Sequence, residues 1–493
     1  MPVSFNNIPQ AVRVPLFYAE VDASQAGYFS QQNRSLLIGH KLVGASAADN
    51  KPVLVSTTDQ ARAIFGVGSM LARMHELYRL NDPFGELWCV PVPPAAGAAA
   101  TGTVTFTGAA TAAGTVALYI GAQKLQVGVA NADTVANVAT AVAAAVNADT
   151  RLPVTAAAAA GVVTLTARHA GVIGNDIVVQ LNYRGIAGGE ALPAGIAAVA
   201  TAMAGGAGTP TLNTAIGNMG DDEFDFIISP FSDTTSLDAY KTLMNDNSGR
   251  WAWNRQIYGH VYSAMRGAFA TLQAAGVLRN DQHALVAGME PGIPNVVWDF
   301  AAAYGARNAV YINADPARPT QTGELVGILP APSAGRFIQT ERQTLLSSGI
   351  ATSYTVSGAV RVERAITTYQ KNLWGQADPS YLDSETLHTL AFILRRLRAR
   401  ITTKYPRHKL ADDGTRFGAG QAIVTPSVIR GELAAEYSDL ELLGIAENAE
   451  AFAANLIVER DLDDPNRLNV LLPPDLVNQL RVFAVLAQFR LQY

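Results

Sequence analysis

The chain has 493 residues, 49% of them apolar and 16% charged, with a formal net charge of -5. That much apolar material excludes a disordered chain, and the acidic balance disfavours a dedicated nucleic-acid binder, which carries a basic face. The one cysteine, Cys89, can make neither an intrachain disulfide nor a cysteine-rich metal site, and this suits a reducing compartment.

The first pattern is extended. Across 11–21, Val12, Val14, Leu16 and Tyr18 fall on one face at period two, and Pro15 requires a sheet edge because it lacks an N–H. No basic, apolar leader and no long unbroken apolar run is present, so neither secretion nor membrane insertion is expected. A strand follows at 35–39. A helix from Ser69 as N-cap to Asn81 carries Met70, Met74 and Leu77 on one face, and a strand occupies 86–91.

Composition then shifts: 95–208 holds 36 alanines and 8 charged residues in 114 positions, between Pro- and Gly-rich breakers. Inside it, 102–107, 115–120 and 162–166 read as strands. Residues 133–147 read as a helix capped by Asp133, with Val135, Val138, Val142 and Val146 on one face. Beyond the block, strands at 224–229, 256–262 and 283–287 alternate with helices at 236–244, 268–275 and 296–304. The pattern predicts an α/β core over 28–94 and 209–350, with a mostly parallel sheet. A small α+β or β-rich outer domain, 95–208, interrupts it.

An α+β C-terminal domain is expected over 351–472. It opens with a hairpin at 354–369, turning at Ser357-Gly358, and continues with a long helix capped by Asp383 or Ser384. Leu387, Leu390, Leu394, Leu397 and Ile401 form that helix's apolar stripe; a further helix is expected at 447–459 before an acidic turn at 461–465. The tail, 473–493, breaks at Pro473-Pro474. Phe483, Val485, Ala487, Phe489 and Leu491 then alternate against Gln488 and Arg490, which favours a strand over the competing helix on which Leu480, Phe483, Ala487 and Leu491 would share a face. Both apolar ends, 1–27 and 473–493, read as arms that either complete their own sheet or add to a neighbour's.

The sharpest charge feature is a basic run, net +6 over 385–409, set against an acidic run, net -9 over 432–464. Either the two pair within the chain, or the helices present Arg396 and Arg400, or Glu447 and Glu450, to a partner. No phosphate-binding loop, no HExxH and no nucleophile–base constellation is present, and the 7 histidines lie at no metal-ligand spacing. A catalytic site, a metal and a cofactor are therefore not expected. A hydrolase on the α/β core stays as the alternative reading.

Several segments, in order, carry a resemblance: 4–15, 63–71, 86–90, 361–369 and 470–482. On these the chain resembles the tail sheath proteins of contractile-tailed bacteriophages, most closely the Mu-like group. The resemblance implies a virion structural protein that forms a helical homopolymer around a tail tube. The sleeve contracts to drive the tube through the host envelope for genome ejection. It implies a subtilisin-like fold in the core without proteolysis, and no cofactor. Tube, baseplate and tail terminator proteins are the implied partners, with assembly in the host cytoplasm. It also implies terminal arms that pair with a sheet in neighbouring subunits, mapping onto 11–21 and 480–491. The linkers beside these strands, 22–27 and Pro473-Pro474, are expected to act as hinges. A tube or adhesin protein is the competing tail component.

Overall fold

The structure, a computed structural model, describes residues 13–15, 19, 33–418 and 420–491. Apolar β-branched and leucine runs form the central strands. β1 (Arg34–His40) is followed by β2 (Val53–Leu54), helices α1 (Thr58–Phe65) and α2 (Met70–Asn81), and β3 (Glu86–Val92). As the sequence predicts, the Ser69 hydroxyl caps α2, accepting the Ala72 N–H at 3.1 Å.

The chain then enters the alanine-rich block. β4 (Ala99–Gly108), β5 (Gly114–Ile120) and β6 (Gln123–Val129) precede helix α3 (Val135–Ala148). β7 (Val154–Ala159), β8 (Val162–Ala170), β9 (Val179–Leu181) and β10 (Ile196–Ala204) follow. They make a four-stranded antiparallel sheet, β10-β4-β8-β7, and a three-stranded one, β6-β5-β9. Helix α3 buries Val138, Val142 and Val146. Its cap is Thr134, not Asp133: Thr134 Oγ1 accepts the Asn137 N–H at 3.3 Å, while the Asp133 carboxylate is taken by the Ala130 N–H at 2.7 Å.

The core resumes with α4 (Asn213–Asn218), β11 (Phe226–Ile228), α5 (Thr234–Met244), β12 (His260–Arg266), α6 (Phe269–Val277), β13 (Ala284–Met289), α7 (Val297–Ala314) and α8 (Gln339–Ser347). The central sheet runs β13-β12-β11-β1-β3-β2, parallel throughout except for the edge pair β2–β3. Helices α2 and α7 pack on each other and on this sheet. Gly305 of α7 permits the approach: a Cβ there would lie 2.5 Å from Ile228 of β11. β12 starts four residues later than expected, since 251–256 coils through turns to Gln256 at positive φ.

The last part holds the hairpin β14 (Thr352–Val356) and β15 (Ala359–Arg364). Ser357 and Gly358 both take positive φ in its turn, as a two-residue hairpin loop requires. Next come α9 (Ser384–Lys404), β16 (Lys409–Leu410), β17 (Ile423–Val424), α10 (Pro426–Leu442), α11 (Ala449–Asn455) and the hairpin β18 (Ile457–Arg460) and β19 (Leu468–Leu471). A second apolar cluster gathers Ile393 of α9 with Ile429, Leu433, Tyr437 and Leu440 of α10 and Phe452 of α11.

Three further expectations change. The helix expected at 447–459 is only Ala449–Asn455, because Leu456 turns extended and Val458 pairs with Val470. The predicted stripe of α9 is only partly buried: Leu387 is inside, but Leu394 is exposed, and Glu385, His388 and Thr389 share the buried face. Among the described residues the tail 480–491 lies in no strand, since a strand requires a ladder partner.

Candidate assembly site around a cationic helix

Helix α9 makes ion pairs at three levels. At its N-terminus, Asp383 and Glu385 place carboxylates where the helix dipole favours them. Asp383 accepts both arms of Arg364, at 2.8 and 2.9 Å. Glu385 is fully buried, and one of its oxygens accepts the Thr320 N–H at 3.0 Å and hydroxyl at 2.9 Å. The Arg481 guanidinium closes the cluster, reaching Asp383 at 3.1 Å and Glu385 at 3.0 Å.

Midway, His388 stacks on Phe226 at 4.8 Å between ring centroids, and its Nε2 meets the Tyr262 hydroxyl at 3.0 Å. Burial, helped by the nearby Arg395, lowers its pKa to about 3, so it is neutral. Arg395 pairs with Asp225 at the start of β11, with Glu223 at 3.4 Å, and lies over the Tyr258 ring. Burial pushes the Asp225 carboxyl up, and Arg395 offsets part of that push.

At the C-terminal end the cations meet α10. Arg396 pairs with Glu436 and Arg400 with Glu432; Arg400 also reaches Glu436 at 3.1 Å and Lys404 reaches Glu432 at 2.6 Å. Burial tends to raise the Glu432 carboxyl, but the bonds from Lys404, Arg400 and Tyr405 outweigh it and hold it below its usual range. Burial and Glu432 together push the Tyr405 phenol up to about 12.

This corrects the reading of Arg396 and Arg400 as a cationic face turned outward: both are engaged with α10 inside the chain. Glu447 and Glu450 are not drawn into this network. Glu447 is half-buried near Asn478, and Glu450 is exposed in the first turn of α11. Helix α10 was not foreseen, although it had signals. Thr425-Pro426 is a cap followed by proline at the first helical position, and Ile429, Leu433, Tyr437 and Leu440 recur at helical spacing. Glu432 and Glu436 also repeat the four-residue spacing of Arg396 and Arg400.

The tail residues are placed in two parts. Up to Arg481 the segment is tied down. Tyr437 bonds the Asp475 backbone, Leu476 bridges Ala446, and Gln479 Nε2 donates to the Ala317 carbonyl at 3.1 Å. The expected hinge at Pro473-Pro474 is therefore corrected: the attached segment continues past it. Beyond Arg481, Phe483, Val485, Phe489 and Leu491 are 70–92% exposed. Of the first segment, Val12, Leu16 and Tyr18 lie outside the described residues, and Val14 is exposed at a bend rather than in a strand.

Along its whole length the chain is similar to a curated relative. It is 42% identical over 495 residues to the Mu-like prophage FluMu tail sheath protein of Haemophilus influenzae, covering 99% of this chain and 100% of the relative. The chain belongs to the phage tail sheath family. The family description "Phage tail sheath protein central domain" matches residues 205–368, and "Phage tail sheath C-terminal domain" matches 376–490. Helix α9, α10 and the tail thus fall within the sheath C-terminal match. The crystal structure of a sheath tail protein from Desulfitobacterium hafniense shares the fold, with a TM-score of 0.50 at 12% identity, over 95% of this chain and 97% of that one.

Proposed function

We propose that the chain is the repeating subunit of a contractile phage tail sheath. It polymerises helically around a tail tube and shortens to drive the tube through a host envelope for genome ejection. The full-length similarity to a tail sheath protein carries this reading. The α/β core is read as a subtilisin-like shape without the chemistry; Ser69, beside its glycine, serves as a helix cap. Tube, baseplate and terminator proteins are the proposed partners, with assembly in the host cytoplasm.

A contracting coat needs subunits that keep hold of one another while their surfaces slide. A donated strand suits this, because its backbone bonds cost about 1–3 kcal/mol per buried group to leave unmade. The tail beyond Arg481 has the required form: exposed, unpaired with any strand among the described residues, and alternating Phe483, Val485, Phe489 and Leu491 on one side. The 11–21 segment is proposed as the second arm. With Arg396 and Arg400 neutralised by α10, the tube-facing role passes to α11 and Glu450.

Electron microscopy of purified, concentrated chain tests the reading. Hollow cylinders, wider than a tube and in a long and a short form, are expected. Persistent monomers, with or without tube protein, would contradict it.

A further inference from the structure

The continuous described chain begins beside β1 and its attached tail ends at Arg481, and one helix touches both places. The backbone enters β1 at Arg34, whose N–H donates to Asp225 Oδ2 at 3.0 Å. The other oxygen of Asp225 accepts Arg395 of α9. Asp225 also exchanges a backbone bond with Arg34, its N–H donating to the Arg34 carbonyl at 2.9 Å. At the N-terminal end of α9, Asp383 and Glu385 grip Arg481, the last residue of the attached tail. All four side chains in these two joints beyond Asp383 itself are deeply placed: Asp225 and Glu385 are 5% and 0% exposed, Arg395 and Arg481 12% and 11%.

We infer that α9 is a strut that couples the roots of the two terminal segments, with Arg395 and Arg481 as its positioning residues. Glu385 and Arg395 are ten residues apart, so the two joints sit ~15 Å apart along a rigid helix axis. Motion at the C-terminal end then begins at Val482, not at the proline pair. The ten residues 482–491 reach at most ~35 Å from the Arg481 joint when fully extended. A pull on a donated tail passes into α9 and from there to β11 and β1, rather than into the hairpin β18–β19. Within the proposed lattice, the strut holds the separation of the two arms constant while neighbouring subunits rotate.

The inference rests on the arm reading for its purpose, but its geometry is testable in the unassembled chain. Cys89 is fully buried and burial pushes its thiol up, so spin labels attach to cysteines introduced by Asn33→Cys and Val482→Cys. The labelled full-length chain, diluted with unlabelled chain, gives an interlabel distance distribution by pulsed electron resonance. A single narrow peak is expected. It should broaden in Arg481→Gln and in Arg395→Gln, with far-ultraviolet circular dichroism unchanged, but not in Arg398→Gln, an exposed cation on the same helix. Should Arg481→Gln fail to fold, Asp383→Asn serves instead and should broaden the peak. A broad distribution in the parent, or an unaltered narrow peak in the folded Arg variants, would overturn the strut. Phe483→Asp, assayed for polymer, tests the arm reading separately. It should abolish cylinders and leave the narrow peak in place.

Discussion

Arg481 and Glu385 meet at 3.0 Å, and the carboxylate of that pair is fully buried. The pair joins the last attached residue of the tail to the first turn of α9. Thr320 supplies two further donors to Glu385, and Asp383 shares the guanidinium, whose Nε is buried without a partner among the described residues. Removing one side therefore leaves a charge without its counter-ion in a place water cannot reach.

Arg481→Gln should destabilise the monomer by about 3 kcal/mol, in the lower part of the range for breaking a buried pair. The double variant with Glu385→Gln should recover a large part of that loss, because no bare charge remains. Urea unfolding of the three proteins measures both. Additive losses would show that the two residues act independently.

The α9–α10 network separates buried from exposed acids. Glu432→Gln strips one carboxylate from Arg400, Lys404 and Tyr405 together and should cost about 2 kcal/mol. Glu450→Gln, on the open face of α11, should stay within about 0.5 kcal/mol. Thermal unfolding of each variant distinguishes the two sites. Equal effects would mean that α10 does not neutralise the basic run.

The inserted block is joined to the core by a neutral histidine pair. His169 Nε2 accepts the Met70 N–H at 3.0 Å, His40 Nδ1 faces the Val92 carbonyl at 3.2 Å, and the rings lie 5.6 Å apart. Burial lowers the pKa of His40 to about 4. Burial, then His40 and Arg168, lowers that of His169 to about 3. Unfolded histidines take a proton near ~6.5, so the folded state loses stability as pH falls below that value, by up to ~1.4 kcal/mol per pH unit for each ring. The loss levels off near the folded values. His169→Gln, which keeps an acceptor for Met70, should flatten the fall in urea midpoint between pH 7 and pH 5. An unchanged slope would remove His169 from the acid response.

The ends of the inserted block run side by side: a Cβ on Gly97 would lie 1.9 Å from the Ala207 carbonyl oxygen. A short Gly-Ser linker can therefore replace the block without stretching β3 or α4. Sheath assembly should persist, with a lower melting temperature because the Met70 N–H loses its acceptor and His40 its neighbour. A folded core that no longer polymerises would place the block in the lattice contacts instead.

The parallel core was legible because each strand is a short apolar run bounded by helical patterns, as in Leu36-Leu37-Ile38 and Leu285-Val286-Ala287. The Ser69 cap and the Ser357-Gly358 turn were legible because their signals are local. The ties of α9 were not. Asp225, Glu385, Arg395 and Arg481 are separated by up to 256 residues, and no spacing connects them. Whether the basic run pairs within the chain or faces outward stayed open in the sequence, because the counter-charges that decide it lie on α10, whose pattern was passed over. The tail read as a strand from its alternation, and alternation records which side chains can share a face, not whether a ladder partner is present.

Truncation after Arg481 tests the central claim most directly. It keeps the ion pair to Glu385, and so the monomer fold, and removes the segment from Val482 on that is proposed to enter a neighbour. Sedimentation and electron microscopy of the purified truncated chain should show folded monomers with the parent's melting temperature and no cylinders. Cylinders of parental length that still contract would contradict the account.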